Sequence, residues 1–287
     1  LEPWEAALSK ALDLGINFID TADAYGNGHA ESSLGAFFKR AGVRDRFVLT
    51  TKFFWNFEHD SRLPDTRHDY ILRACEASLK RLGTDRIDLY QVHSFDPLTQ
   101  PGEVAAALLR LRKEGKVRWF GVSNLNPEQM RMYRRFVDIQ CLQPPYSLLV
   151  RQAEAEALPY CLAHRMGVIA YSPLYRGLLA GTHGAGRVFD DARARDRLFN
   201  GAAYARIQAG LDELRPLAGR FGLSLAQFAV RWVLRHPALT SAIVGIKEPG
   251  HVEGIVTAAA EEMPVEIWHQ AAEIMARARS EALGETP

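Results

Sequence analysis

Ile87-Asp88-Leu89-Tyr90-Gln91-Val92-His93, then Glu103 to Glu114 (EVAAALLRLRKE), then Trp119-Phe120-Gly121-Val122-Ser123 follow one another along the chain. The outer two are short runs rich in β-branched and aromatic residues, and the middle one repeats its apolar residues three and four apart. That order is strand, crossover helix, strand, the unit from which parallel sheets are built. Working outward, further strand candidates are Ile16 to Asp20, Phe47 to Lys52, Ile139 to Gln143, Val168 to Tyr171 and Ala242 to Ile246. Arg67 to Leu82 and Ala153 to His164 supply further helices of the same period. The fold class is therefore α/β, and the repetition predicts a (β/α)8 TIM barrel formed as one domain over residues 1–287. Seven strands leave an unpaired edge where eight would close. The first residue is Leu1 rather than Met and lies within helical spacing, so an eighth strand is expected upstream, missing from this chain. The alternative is a complete protein with an open barrel.

The 287 residues carry 35 Lys+Arg against 34 Asp+Glu, so no broad field attracts nucleic acid or anionic lipid. A hydrophobic share of 47% and a charged share of 24% exclude disorder as the dominant state. No apolar run approaches the ~18 residues of a membrane span, and no secretory leader pattern opens the chain. Cys75, Cys141 and Cys161 form neither a disulfide framework nor a CxxC pair, which predicts a reducing, cytoplasmic setting. Two helix starts carry capping boxes, Asn126 to Gln129 and Ser224 to Gln227. Apolar periodicity stops from Thr182 to about Ala205, which reads as a long loop, and a helical tail follows from Glu266 to Ala282.

Polar residues stand where three successive strand patterns end: Asp20 with Tyr25 in the loop after it, then Lys52, then His93. Strand C-termini form the mouth of a β/α barrel, so these side chains should converge there. Burying the Lys52 ammonium at the end of Val48-Leu49-Thr50-Thr51 requires a carboxylate, and Asp20 is available. A phenol, whose pKa is ordinarily about 10, becomes a useful acid near neutrality only beside a cation, which Lys52 provides for Tyr25. His93 can donate to the same carbonyl oxygen, so the set suits carbonyl reduction if a hydride source sits beside it.

Gly15-Ile16-Asn17-Phe18-Ile19-Asp20-Thr21-Ala22-Asp23-Ala24-Tyr25-Gly26, followed by Glu31 and Gly35, resembles the aldo-keto reductase signature. The resemblance continues through Thr51-Lys52-Phe53, Asp88 to His93, Gly121-Val122-Ser123-Asn124, Gln143 and Ala170-Tyr171-Ser172-Pro173-Leu174. It implies a (β/α)8 barrel that binds NADPH or NADH without a Rossmann fold and reduces aldehydes or ketones. By resemblance Tyr25 is the proton donor, Lys52 and Asp20 tune it, and His93 orients the carbonyl. Ser123, Asn124 and Gln143 match the holders of the nicotinamide carboxamide, and Tyr171 the ring that stacks on it. Ser172, Leu174, Gly177 and Leu179 match the pyrophosphate segment. The segment holding Gly245, Lys247 and His251 matches the adenosine end, although Val244 and Gly254-Ile255 depart from the family pattern. Lys247 favours a 2′-phosphate, whereas Glu248 suits a ribose 2′-hydroxyl, so NADP is expected with NAD as the alternative.

Phe54, Trp55, Phe57, Ser94, Phe95 and Tyr146 flank these residues, and Trp55, Phe95 and Tyr146 are the principal substrate-pocket candidates. Arg151 could contact cofactor, substrate or solvent. No metal site is expected: the chain lacks a His-x-His pair, and His59, His68 and His164 have no ligand partners at useful spacing. The expected partner is a small carbonyl or alcohol substrate, with neither nucleic acid nor membrane. Two competing readings remain: a cofactor-binding regulatory protein like a channel subunit with little turnover, and an incomplete fragment.

Overall fold

The computed structural model describes residues 2–57, 63–184 and 186–284, so Leu1 and His59 lie outside the described residues. The chain gathers into two compact units, one of Leu1–Pro144 with Pro159–Val168 and one of Pro145–Leu158 with Ile169–Pro287.

The first unit is built on parallel strands β1 (Phe18–Asp20), β2 (Val48–Phe53), β5 (Ile87–Val92), β6 (Val117–Ser123) and β7 (Cys141–Gln143). A short antiparallel pair, β3 (Trp55–Asn56) and β4 (Leu63–Pro64), branches off after β2. The parallel order is β1-β2-β5-β6-β7, and β7 then pairs with the start of β8 (Gly167–Ala170). Each crossover is a helix: α2 (His29–Ala41), α3 (His68–Leu82), α4 (Pro101–Lys113) and α5 (Pro127–Arg134). All six residues of β5 are buried, as a central strand covered on both faces requires. α1 (Pro3–Asp13) sets Trp4, Leu8 and Leu12 against a cluster of Ile19, Leu34, Phe37, Phe38, Phe47, Leu49 and Leu82. That cluster locks α2 and the first two strands to the end of α3.

In the second unit Ile169 and Ala170 of β8 pair with Ser241 and Ala242, the whole of β9. Its helices are α7 (Gly201–Gly219), α8 (Leu225–Leu234), α9 (Pro249–Ala259) and α10 (Val265–Leu283), with α6 (Ala157–Ala163) at the junction of the units in sequence. α7 and α10 pack so closely that a Cβ on Gly210 would lie 2.6 Å from Ala278 Cβ. Trp232 and Trp268 stack at 5.3 Å, each indole N–H donating to the other's carbonyl.

Both expected capping boxes are present, Asn126 with Gln129 and Ser224 with Gln227. Several expected boundaries differ, and the backbone explains why. Ile16 donates its N–H to Ala11 O, and Gly15 has φ +83°, so these residues close α1 and β1 starts at Phe18. The helix expected from Ala153 to His164 breaks into a 3-10 turn at Gln152–Glu154 and the short α6. The strand expected from Ala242 to Ile246 shrinks to Ser241–Ala242, extended only by Ile243 N–H to Ala170 O. The expected loop from Thr182 to Ala205 instead contains 3-10 turns at Ala192–Arg195 and Arg197–Phe199, each capped by an aspartate, Asp191 and Asp196, and then enters α7 at Gly201.

Candidate active site

In the first unit the site is assembled by the last residues of adjacent parallel strands. Asp20 ends β1, Lys52 is next to last in β2, His93 follows β5, Ser123 ends β6 and Gln143 ends β7. Register places Asp20 beside Thr50, Lys52 beside Gln91 and Ser123 beside Gln143. Parallel strands that end at one edge thus bring together residues far apart in sequence.

Lys52 has no exposed surface, and its ammonium donates to both Asp20 carboxylate oxygens at 2.7 Å and to Thr21 O at 2.9 Å. An ammonium has three N–H donors, so the set is fully used. Burial pushes the Lys52 pKa below its ordinary value, opposed by the charge and hydrogen bonds of Asp20 and by the charge of Asp23. The ammonium lies 5.3 Å from the centre of the Tyr25 ring. With every donor committed, it acts on Tyr25 through its charge. Tyr25 is 43% exposed, and its ring meets His93 edge-on at 5.9 Å. The structure therefore brings Asp20, Tyr25, Lys52 and His93 together as expected from the strand ends.

Beside them is a platform of amides. Ser123 Oγ donates to Gln143 O at 2.8 Å, and Asn124, with φ +62°, donates its side-chain amide to His93 O and Ser123 Oγ. Gln143 Nε2 donates to Asp20 Oδ1 at 2.8 Å, a link between the carboxamide candidates and the tetrad that sequence reasoning missed. Nothing local in the sequence marks it, because 123 residues separate the partners. Ser123 and Gln143 are almost wholly buried, and of the three Asn124 is the one exposed.

In the second unit Tyr171 and Ser172 are half-buried after β8, and Ser172, Tyr175, Arg176 and Gly177 all have left-handed φ. They form a tight turn into the 3-10 helix Leu178–Ala180, closed by Tyr175 N–H to Ser172 O and by Gly177 and Leu179 N–H to Leu174 O. Leu174 is half-buried and Leu179 is buried. Tyr175 donates its hydroxyl to Asp196 Oδ2 at 2.8 Å, and the ring stacks on Phe199 at 5.9 Å, which anchors the 182–200 segment to that turn. Gly245, Lys247 and His251 are exposed around the start of α9. Lys247 N–H donates to His251 Nδ1, and His251 Nε2 lies 3.3 Å from Glu248.

The aromatic candidates divide. Trp55 and Phe95 are half-buried, packed edge-on against Phe54 and Tyr133 respectively. Phe54 is buried. Tyr146 has no exposed surface, packs on Trp232 at 5.3 Å and donates its hydroxyl to Glu154 at 2.7 Å. The structure thus places Tyr146 in the core of the second unit, where it offers no surface to a ligand. Arg151 is committed to Glu154 through two hydrogen bonds and lies over Trp232. Among the described residues no group of three or more His, Cys, Asp or Glu could hold a metal, and no helix is long and apolar enough to cross a membrane.

Comparison with known proteins specifies the class to which this parallel α/β fold belongs. Residues 3–276 match the model of the Aldo/keto reductase family, and the chain belongs to that family. Its fold is that family's (β/α)8 type, and it is an NAD(P)H-dependent oxidoreductase of carbonyl compounds. The aldo-keto reductase YhdN of Bacillus subtilis is 38% identical over 251 residues, 86% of this chain and 76% of that protein. The NADH-specific methylglyoxal reductase of Escherichia coli is 34% identical over 257 residues, 85% of this chain and 78% of that protein. Among solved structures, the glycerol dehydrogenase AKR11B4 of Gluconobacter oxydans superposes with a TM-score of 0.90 at 35% identity, covering 99% of this chain and 87% of that one.

Proposed function

We propose that this protein, acting as a single domain over residues 1–287, reduces an aldehyde or ketone to an alcohol, with Tyr25 as the proton donor. The observation that carries the reading is the Lys52 ammonium, paired with Asp20 and facing the Tyr25 ring. When bound, NADP or NAD supplies a hydride to the carbonyl carbon. Ser123, Asn124 and Gln143 would hold its carboxamide, Tyr171 its ring, Ser172, Leu174, Gly177 and Leu179 its pyrophosphate, and Gly245, Lys247 and His251 its adenosine end. The polar cluster of Ser123, Asn124 and Gln143, with its amide donors and acceptors, is chemically suited to a carboxamide.

Tyr25 gives its hydroxyl proton to the carbonyl oxygen as negative charge builds there, and the adjacent ammonium stabilises the phenolate left behind. Asp20 opposes the lowering of the Lys52 pKa that burial causes. His93, edge-on to Tyr25, donates an N–H to the same oxygen and fixes its direction. The route runs backwards for alcohol oxidation, with the Tyr25 phenolate accepting the proton.

Trp55 and Phe95 are the pocket surfaces in this reading, which suits an apolar or sugar-like carbonyl. NADP is the proposed cofactor through Lys247, which makes no ion pair among the described residues, and NAD competes through Glu248. Buried, unpaired thiols at Cys75, Cys141 and Cys161 support a reducing, cytoplasmic setting. The test is oxidation of NADPH and of NADH, followed by the absorbance of the reduced nicotinamide, with 4-nitrobenzaldehyde as substrate. Turnover with preference for NADPH is expected, preference for NADH assigns the discrimination to Glu248, and no turnover by folded protein with bound cofactor favours a regulatory role.

A further inference from the structure

Glu31, which is buried, and Arg81, which is partly buried, form an ion pair that the proposed chemistry does not use. Glu31 has no exposed surface, yet its two carboxylate oxygens are both taken, one by Thr51 Oγ1 at 2.6 Å and one by Arg81 Nε at 2.7 Å. A buried carboxylate held this way commits the segments that supply its partners to one arrangement, because losing either partner leaves charge unsolvated. Those segments are informative. Thr51 directly precedes Lys52 in β2 and, by strand alternation, faces the helices while Lys52 faces the site. Glu31 lies in the first turn of α2, directly after the loop that carries Tyr25.

That loop is unusual in its backbone. Gly26, Asn27 and Gly28 are successive left-handed residues, with φ of +60°, +51° and +88°. Asn27 adopts this conformation at some cost, since a non-glycine side chain disfavours it. The Arg81 side chain lies directly on Gly28, where a Cβ would come within 2.6 Å of Arg81 Cδ and 2.8 Å of its Nε. The same arginine therefore presses on the end of the Tyr25 turn and binds the carboxylate that holds β2 beside Lys52. Tyr25 O in turn accepts from Ala30 N–H, which ties the donor's own backbone to the start of α2.

We propose that Glu31 and Arg81 are positioning residues that set the Tyr25 phenol relative to the Lys52 ammonium. The pair touches neither substrate nor reacting atoms: it fixes the left-handed turn from one side and the strand bearing Lys52 from the other. This inference rests on Tyr25 being the proton donor.

The test is steady-state reduction of 4-nitrobenzaldehyde, with the better of NADPH and NADH, by full-length wild type, Arg81→Met, Arg81→Lys, Thr51→Val and Tyr25→Phe. Misplacement of a reacting group by an ångström costs up to about a hundredfold, so Arg81→Met should lower kcat by about tenfold to a hundredfold. Aldehyde KM and cofactor affinity should stay within about twofold, because the binding groups are elsewhere. The solvent deuterium isotope effect on kcat should rise as proton transfer becomes limiting, and Arg81→Lys should recover part of the rate by restoring the charge. If Arg81→Met does not fold, Thr51→Val decides, since it removes only the second partner of Glu31 and should show the same split with a smaller loss. Unchanged kcat in a folded variant, or a parallel loss of kcat, KM and cofactor affinity with no isotope effect, overturns the positioning role. Full activity in Tyr25→Phe would instead overturn the proton-donor reading, whatever the Arg81 variants do.

Discussion

Replacing Lys52 by methionine should be among the most damaging single changes to the first unit, and pairing it with Asp20→Asn should largely repair stability while leaving the enzyme inactive. The ammonium has no exposed surface and the Asp20 side chain only 7%, so solvent screens neither partner. In Lys52→Met, Asp20 keeps the single donor of Gln143 Nε2 and stands as a buried, uncompensated carboxylate. Breaking a buried pair from one side costs about 3–5 kcal/mol, whereas replacing both partners ranges from neutral to about 1–4 kcal/mol stabilising. At about 2–4 °C per kcal/mol for chains of this class, the single variant should melt roughly 6–20 °C lower, and the double variant should return to the wild-type range or above. In the double variant Gln143 still finds an acceptor in the asparagine carbonyl.

The assay is a double-mutant cycle by urea denaturation, followed through tryptophan fluorescence at neutral pH and again at high pH. The pH dependence has a definite sign. Burial lowers the Lys52 pKa in the folded chain below the unfolded value of 10.5. Between the two values the unfolded chain binds more protons, so the contribution of this group to stability rises with pH across that window. Lys52→Met should remove that rise. Single-variant costs below about 1 kcal/mol, the range of exposed ion pairs, or a double variant no better than the sum of the singles, would refute the reasoning.

Gly35→Ala should destabilise by about 1–3 kcal/mol, because its Cβ would lie 2.2 Å from the Arg81 carbonyl oxygen and α2 would have to move off α3; thermal denaturation reads the loss. Burial lowers the His236 pKa below 6.5, a shift the charge of Glu154 opposes, so stability should fall as pH drops from 6.5 through the folded value, and His236→Gln should flatten that part of the stability curve.

The strand-helix alternation was legible because buried parallel strands read as short apolar runs, and Ile87 to His93 shows it at full strength. The meeting of Asp20, Lys52 and His93 was legible for a related reason: each stands where an apolar strand pattern ends, and adjacent parallel strands end at one edge. Boundaries were harder where backbone hydrogen bonds decide them, as at Ile16, which completes α1, and at Ala242, beyond which β9 has one further bond. The first turn of α7 is hard to read because Gly201, Ala202 and Ala203 are small and follow an arginine-rich stretch. Tyr146 stands close behind Gln143 in sequence, and proximity to a strand end does not reveal which way a side chain points. The Glu31–Arg81 pair spans 50 residues and depends on Gly28 lacking a Cβ, information that exists only in three dimensions.

The most direct measurement is carbonyl reduction by Tyr25→Phe, with cofactor binding to the same sample followed by fluorescence. A positioned general acid contributes about a hundredfold to ten-thousandfold, so kcat should fall by that factor while cofactor affinity is unchanged. A Tyr25→Phe protein that binds cofactor and keeps kcat within about threefold of wild type would contradict the assignment of Tyr25 as the proton donor.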